Sequence, residues 1–348
     1  MNATHGPWGD VPEPASPDPP PPAVAILNAS NFLAAQRANR RNTILLVVIL
    51  LLLGAVLGYL LGAIVDAYAG RSLATTATGI SAFGIIGGGG LLSIGLIATA
   101  VTFAAGGPLI LGLAGAREVE KDAEPVLHNV VEEMAIAAGL PKPRVTVIET
   151  DVPNAFATGM EPTKAAIGVT RGLLDSLNRD ELQGVIGHEM GHIVNWDTRY
   201  MTAVAILVGL IALVCDGARR MMFYGSMGGR RDREGRGSSS LGPLMIVFFV
   251  FAILAPIAAQ LVRFAVSRQR EYLADATSVQ LTRNPLGLIG ALEKLAAAQR
   301  PFPGANRATQ HMFIVNPFKV FGPNSTALFS THPPLEQRIE RLKNLGIL

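Results

Sequence analysis

Charge is scarce in this 348-residue chain: Asp, Glu, Lys and Arg make up 16% of it, where soluble globular domains run near a quarter. Together with 49% hydrophobic residues and a mean hydropathy of +0.37, that deficit excludes a fold solvated on all sides and places part of the chain in lipid. Cysteine is nearly absent. The single Cys215 sits in an apolar run, so it forms no intrachain disulfide, reads as core or lipid-facing filler, and leaves the redox compartment unreported. The net charge is only +3, and the arginines stand beside apolar runs rather than in a patch interleaved with aromatics. No nucleic-acid partner is expected.

What is present falls into blocks. Residues 1–36 form a tail whose first part carries Pro12, Pro14, Pro17 and Pro19 to Pro22, a composition that buries no core and stays disordered. Residues 43–65 then run 23 positions without a charge, long enough to cross about 30 Å of hydrocarbon at about 1.5 Å per residue. Ala67-Tyr68-Ala69 after it resembles a signal cleavage site, but the run is longer than a signal's apolar region. From Ser72 to Ala116 there is again no charge, and one crossing is expected around 80–111, with Gly87 to Gly90 and Gly106-Gly107-Pro108 as weak points. Residues 37–116 are thus a membrane anchor of two transmembrane helices. Two further apolar runs, 201–215 and 244–262, flank a Gly/Ser/Arg-rich loop inside the block 201–262, giving about four apolar membrane segments.

Arg37, Arg40 and Arg41 precede the first span, whereas the connection to the second holds only Asp66 and Arg71. The amino terminus and the block 117–200 are therefore expected in the cytoplasm. The loop at 216–241 carries six arginines against three acids, which leaves open whether the later runs cross or dip into the bilayer as a hairpin. Either way, 117–200 and 263–348 share one side. These two blocks read as α+β and mainly helical. A helix over 118–138 carries the stripe Leu127, Val130, Val131, Met134 and Ala138 and ends at Gly139 and Pro141. Strands follow at 144–149, 154–160 and 165–170, a small sheet. Asn178 and Glu181 form a capping box, so a helix starts near Arg179.

That helix carries HEMGH. A helix turns about 100° per residue, so His188 and His192 stand on one face, one turn apart, and can grip one metal ion. Zinc takes two such imidazoles plus a third protein ligand and keeps a fourth position for water. Glu189 then projects where a carboxylate can take that water's proton as it attacks a peptide carbonyl. The plain alternative is a pair of surface histidines beside an exposed glutamate. Further on, RQREYLAD places Glu271 and Asp275 four apart on a helix on the same side of the membrane. Glu271 suits the third ligand, and Asp275 suits an outer acceptor that fixes an imidazole tautomer. Alone, the same pair would read as a solvated face with Arg268 and Arg270.

Taken in order, NAFATG at 154–159, HEMGH at 188–192, EYLAD at 271–275, HMFIVNP at 311–317 and FSTHPPLEQRIERL at 329–342 resemble the HtpX-type membrane zinc metalloproteases of the Ste24-like peptidase family (M48), over about residues 37–348. The resemblance implies a zincin-like, membrane-anchored endopeptidase of a bacterial inner membrane, multi-pass and facing the cytoplasm. It implies one Zn2+ per chain held by His188, His192 and Glu271, with Glu189 as base. It also implies a role in quality control and stress response, with unfolded or misfolded membrane proteins as substrates. Asn154, with Ala155 and Phe156, His332 and Arg338 take positions that the resemblance sets near the substrate. A peptide added as a strand along the NAFATG edge would be held by main-chain hydrogen bonds. His332, before Pro333-Pro334, is expected to donate to the developing oxyanion; otherwise it is a surface histidine before a capped helix. Arg338 would otherwise pair with Glu336 or Glu340 on an exposed face. His128 and His311 read as structural, and His5 falls in the tail. Two other classes remain: a membrane scaffold or chaperone that binds without cutting, and a site-2-type intramembrane protease, against which Arg179, Asp180, Glu181, Asn195 and Asp197 around the motif argue for a site in water. The long tail and the loop at 225–240 depart from the family pattern.

Overall fold

The computed structural model describes residues 29–68, 80–207, 268–298, 312–315 and 333–345. The tail up to residue 28, most of the run at 201–215, the loop and run up to 267, and His5, Cys215, His311 and His332 lie outside them.

Helix α1 spans Ala29–Tyr68, so it begins inside the stretch assigned to the tail and well before the apolar run. The sequence AAQRANRR loses little on becoming helical, and this extension has its own face to bury: Asn39, Thr43 and Leu46 are all buried. Helix α2 spans Ala82–Leu113 and is capped by Ser81, whose Oγ accepts from the Gly84 amide at 2.8 Å. Asp66 near the end of α1 accepts from Ser81 Oγ at 2.6 Å and from the Phe83 amide at 3.2 Å, tying the two helices into a hairpin. The break expected at Gly106-Gly107-Pro108 bends α2 without ending it: Ala105 leaves helical geometry at φ −132°, ψ 15°, and Pro108 brings no N–H to the ladder. Ile44, Leu45, Leu52 and Val56 on α1 and Ile85, Ile86, Ile94 and Ile97 on α2 are exposed. So wide an apolar surface on two helices long and apolar enough to cross a membrane is a lipid-facing surface.

Beyond the kink, α2 enters the soluble part, where a mixed sheet has the order β1-β2-β4-β3. Strand β1 is Arg117–Glu118, β2 Arg144–Ile148, β3 Ala155–Thr158 and β4 Ala166–Thr170. β2 and β4 are parallel, and the other pairs antiparallel. β1 replaces the start of the expected helix: α3 is Pro125–Ala138, because proline is tolerated in a first turn and not further in. Alternation along the strands divides the sheet's faces. Val145, Val147, Ala155, Ala157, Ile167 and Val169 join the main core. Ile148, Phe156 and Ala166 pack against Ile110 and Leu111 of α2, so the membrane hairpin is built into the sheet's other face.

Helix α4 is Arg171–Ser176 and α5, with HEMGH, is Arg179–Val194. The capping box is present, Asn178 Oδ1 accepting from the Glu181 amide at 2.9 Å and Glu181 Oε2 from the Asn178 amide at 2.8 Å. Residues 197–207 continue as helix α6. Helices α7 (Arg268–Thr282), α8 (Pro285–Ala297) and α9 (Leu335–Leu345) complete the described part. α5 is the central helix of the core, against α3, α7, α8 and β3.

Candidate metal centre

Close helix packing brings the ligands together. A Cβ on Gly184 of α5 would stand 2.5 Å from the Leu288 amide nitrogen, and one on Gly191 would stand 3.0 Å from Ala274 Cα. Glycine at these points lets α7 and α8 approach the α5 backbone, and Ser278 Oγ donates to the Gly184 carbonyl at 2.6 Å. The carboxylates of α7 thereby reach the histidines of α5.

His188 Nε2 and His192 Nε2 face each other at 3.2 Å. Glu271 Oε2 lies 3.7 Å from the first and Oε1 3.7 Å from the second. The tautomers follow from the opposite ring edges. His188 Nδ1 is 2.9 Å from Asp275 Oδ1, and His192 Nδ1 is 3.0 Å from Asp197 Oδ2, so each Nδ1–H donates to a carboxylate and each Nε2 keeps a lone pair. At this distance the two Nε2 atoms need a shared proton or a metal ion between them. Two nitrogens bound to one zinc at about 2.05 Å in tetrahedral geometry would lie about 3.3 Å apart, close to the separation found. The residues present fit the metal.

Electrostatics agrees with the geometry. Burial alone would lower the His192 pKa, but Asp197, Glu271 and Glu189 outweigh it and raise it to about 9: the pocket draws in a positive charge. Burial and the Arg338 guanidinium lower His188 to about 4 against the pull of Asp275. Glu189 is 1% exposed, and burial, with Glu271 adding to it, pushes its carboxyl up to about 7 while His192 and Arg338 oppose. Neither Glu189 oxygen makes a hydrogen bond of regular geometry, although the Ala157 amide on β3 favours its ionised form.

Other expected residues have partners that the sequence did not suggest. Arg338 was placed near the substrate, or on an exposed face with Glu336 or Glu340; it is 0% exposed. Its Nε and Nη2 donate to Asp275 at 2.9 and 2.6 Å, Nη2 lies 3.3 Å from His188 Nδ1, and Nη1 lies 3.6 Å from Glu271 Oε2. A bidentate pair to a buried carboxylate accounts for so complete a burial. Burial opposes the ionised Asp275, yet Arg338 and His188 hold its pKa below the usual range. The edge of β3 is not open at Asn154 to Phe156. The Ile314 amide donates to the Ala155 carbonyl at 2.9 Å, and Phe156 bridges Phe313, their rings 5.1 Å apart. Asn154 donates to the Val315 carbonyl at 2.8 Å and accepts from its amide at 3.2 Å. Residues 313–315 thus occupy part of the edge expected to receive peptide. His128 Nε2 is 2.9 Å from the Val119 carbonyl, a structural contact.

The sequence reading assigned no role at the centre to Asp197 or Asn39. Asn39 Nδ2 on α1 donates to Asp197 Oδ1 at 2.6 Å and to the Asn195 carbonyl at 2.9 Å. Asp197 was visible as an acid just past HEMGH. Asn39, 158 residues away, gave no signal beyond being a polar residue among the basic ones ahead of a span.

Comparison with known proteins agrees with this site. The chain is 51% identical over 241 residues to the protease HtpX homolog of Caldanaerobacter subterraneus subsp. tengcongensis, covering 69% of this chain and 78% of that protein. To the protease HtpX homolog of Streptococcus gordonii it is 45% identical over 253 residues, 72% of this chain and 84% of the relative. The homolog from Pyrococcus furiosus is 46% identical over 241 residues, 69% of this chain and 80% of that one. The model of peptidase family M48 matches residues 121–346. With two apolar helices and a clustered His188, His192 and Glu271, the chain is a membrane metallopeptidase and belongs to peptidase family M48.

Proposed function

We propose that this chain is a zinc-dependent endopeptidase that cleaves unfolded or misfolded membrane proteins at the cytoplasmic face of a bacterial inner membrane, as part of quality control. The observation that carries the reading is the pair of Nε2 atoms 3.2 Å apart, flanked by Glu271, with both Nδ1 atoms fixed by carboxylates. Zinc held there by His188, His192 and Glu271 would supply a Lewis acid that polarises the scissile carbonyl and acidifies water. Glu189 takes the proton of the attacking water and returns it to the leaving amine; a buried carboxyl directly after the ligand His188 is placed to do both. Asp275 and Asp197 keep the imidazoles in the ligating tautomer, and Arg338 holds Asp275. His332, three residues ahead of α9 in the sequence, is assigned as donor to the developing oxyanion, and Arg338 docks that helix on the centre. A main-chain grip on peptide along the β3 edge, beside Asn154, Ala155 and Phe156, would suit many sequences, and there it competes with residues 313–315. Arg37, Arg40 and Arg41, in α1 ahead of its apolar run, support the cytoplasmic orientation.

The test is digestion of an unfolded protein by the detergent-solubilised full chain. Chelation should stop cleavage and zinc should restore it. Glu189→Gln should abolish cleavage with zinc still bound, because the side chain moves a proton and is not a ligand. In the same assay His332→Ala should lower kcat by roughly 10²–10³ with KM and zinc content unchanged. Cleavage by Glu189→Gln near the parent rate would sink the assigned base, and cleavage indifferent to chelator would sink the metal mechanism.

A further inference from the structure

The turn between α5 and α6 is an unfavourable piece of chain. Trp196 is held at φ 61°, a left-handed conformation that costs an L-residue about 1–2 kcal/mol. Asn195 is fully buried, and neither polar atom of its side chain has a hydrogen-bond partner among the described residues. Yet this turn carries Asp197 back toward α5 so that Oδ2 receives the His192 Nδ1–H at 3.0 Å. Such strain persists only where neighbouring structure over-determines it.

That neighbour is α1. Residues one helical turn apart on one of its faces address the turn in succession: Gln36 Nε2 donates to the Val194 carbonyl at 2.8 Å, and Asn39 Nδ2 donates to the Asn195 carbonyl and to Asp197 Oδ1. Arg40 lies over the Trp196 ring at 5.2 Å. Thr43 Oγ1 donates to the Asn39 carbonyl at 2.8 Å, and Leu46 continues the face against Tyr200, Val204 and Leu207. Asn39 is 3% exposed and Asp197 is 1% exposed, so water cannot replace the bond. Arg270 Nε is 3.6 Å from Asp197 Oδ1, a weaker hold than the 2.6 Å amide donor.

We infer that the membrane anchor is part of the metal centre: Asn39 is a positioning residue that acts through Asp197 to aim His192 at the metal. The inference rests on the metal-site reading above and adds that the affinity of the centre is set partly from within the first membrane helix. The side chain uses one donor group on two acceptors that fix both ends of the strained turn. The Asn39 amide takes Oδ1 of Asp197 and leaves Oδ2 to His192.

The experiment measures zinc affinity of the full chain in detergent by competition with a chromogenic chelator, alongside melting of the metal-free protein. Asn39→Ala and Asn39→Leu, the second keeping volume and apolar packing, should weaken zinc binding by about 10-fold, the low end of the range for outer partners of a metal ligand. Gln36→Ala, which loosens α1 without touching Asp197, should change affinity by less than about 2-fold, since no ligand's partner is altered. In an Asp197→Asn background, Asn39→Ala should add little, because the two act in series. Affinities of both Asn39 variants within about 2-fold of the parent would overturn the inference, as would equal losses for Gln36→Ala. Failure of both Asn39 variants to fold would make the contact a folding determinant and overturn it too. If the parent itself binds no zinc, it is the metal-site reading that falls.

Discussion

His188 and His192 sit one turn apart on α5, both buried and both donating Nδ1–H to an aspartate, yet their proton affinities move in opposite directions, to about 4 and about 9. Glu271 and Glu189 help raise His192, and part of the difference lies one residue further out. Asp275 is gripped by Arg338 through two hydrogen bonds, so its charge is already matched, and the same guanidinium repels a proton on His188. Asp197 is held closely by a neutral amide, Asn39, so its charge remains free to act on His192. One histidine is thus backed from α9 by a carboxylate in a close bidentate pair, the other by a carboxylate held by the Asn39 amide with Arg270 only at 3.6 Å. Identical first partners do not make identical ligands.

Removing the outer partner should break the two sides unequally. Arg338→Ala leaves Asp275 and Glu271 buried without their cation, the situation in which loss of one member of a buried pair costs about 3–5 kcal/mol. Melting of the metal-free chain should fall by more than about 5 °C, given about 2–4 °C per kcal/mol at this size. A fall of under about 2 °C would mean that water solvates the carboxylates once the guanidinium has gone. On the membrane side, Asn39→Ala removes only a neutral donor, and its effect belongs to zinc affinity.

The aspartates sharpen the contrast. Asp275→Asn and Asp197→Asn should each weaken zinc binding by about 10- to 100-fold, as expected of outer partners of a ligating histidine. Stability should separate them. Asp275→Asn strands the Arg338 guanidinium against a neutral amide and should destabilise the metal-free chain strongly, whereas Asp197→Asn keeps an oxygen for Asn39 but turns its NH2 toward the His192 Nδ1–H and should cost less, about 1–3 kcal/mol. Equal losses of stability in the two variants would show that the arginine does not set them apart.

Much of this was legible in the sequence where the information is local. The capping box fixed the start of α5, helical spacing put His188 and His192 on one face, and Glu271 and Asp275 were readable as a pair on a second helix. The hairpin of β3 and β4 and the two membrane helices followed from alternation and from length. What stayed hidden depends on contacts between distant parts of the chain. Arg338 lies among Glu336, Glu340 and Arg341 on a helix whose pattern reads as solvated, and only the buried carboxylates of α7 pull it inward. β1 has two residues, too few for any periodicity, and segment 312–315 meets β3 from more than 150 residues away. Asp197 could be seen but not its direction, because tryptophan carries no tendency toward the left-handed conformation that turns the chain back.

Trp196 gives the smallest expected effect and the finest test of the membrane-side anchor. Glycine at this position would relieve about 1–2 kcal/mol of left-handed strain. It would also release about 0.5–1 kcal/mol of chain entropy in the unfolded state and lose the ring that Arg40 and Arg199 cover at 5.2 and 5.5 Å, contacts worth about 0.5–1 kcal/mol each. These terms nearly cancel, so Trp196→Gly should shift stability by less than about 1 kcal/mol. Zinc affinity should still drop, by less than the roughly 10-fold expected for a direct outer partner, because the turn that aims Asp197 becomes looser while the Asn39 bonds remain. The two readouts divide the explanations. A stability loss above about 2 kcal/mol would mean that packing of the indole between the arginines holds the turn, and unchanged zinc affinity would mean that Asn39 alone is enough to keep Asp197 on His192.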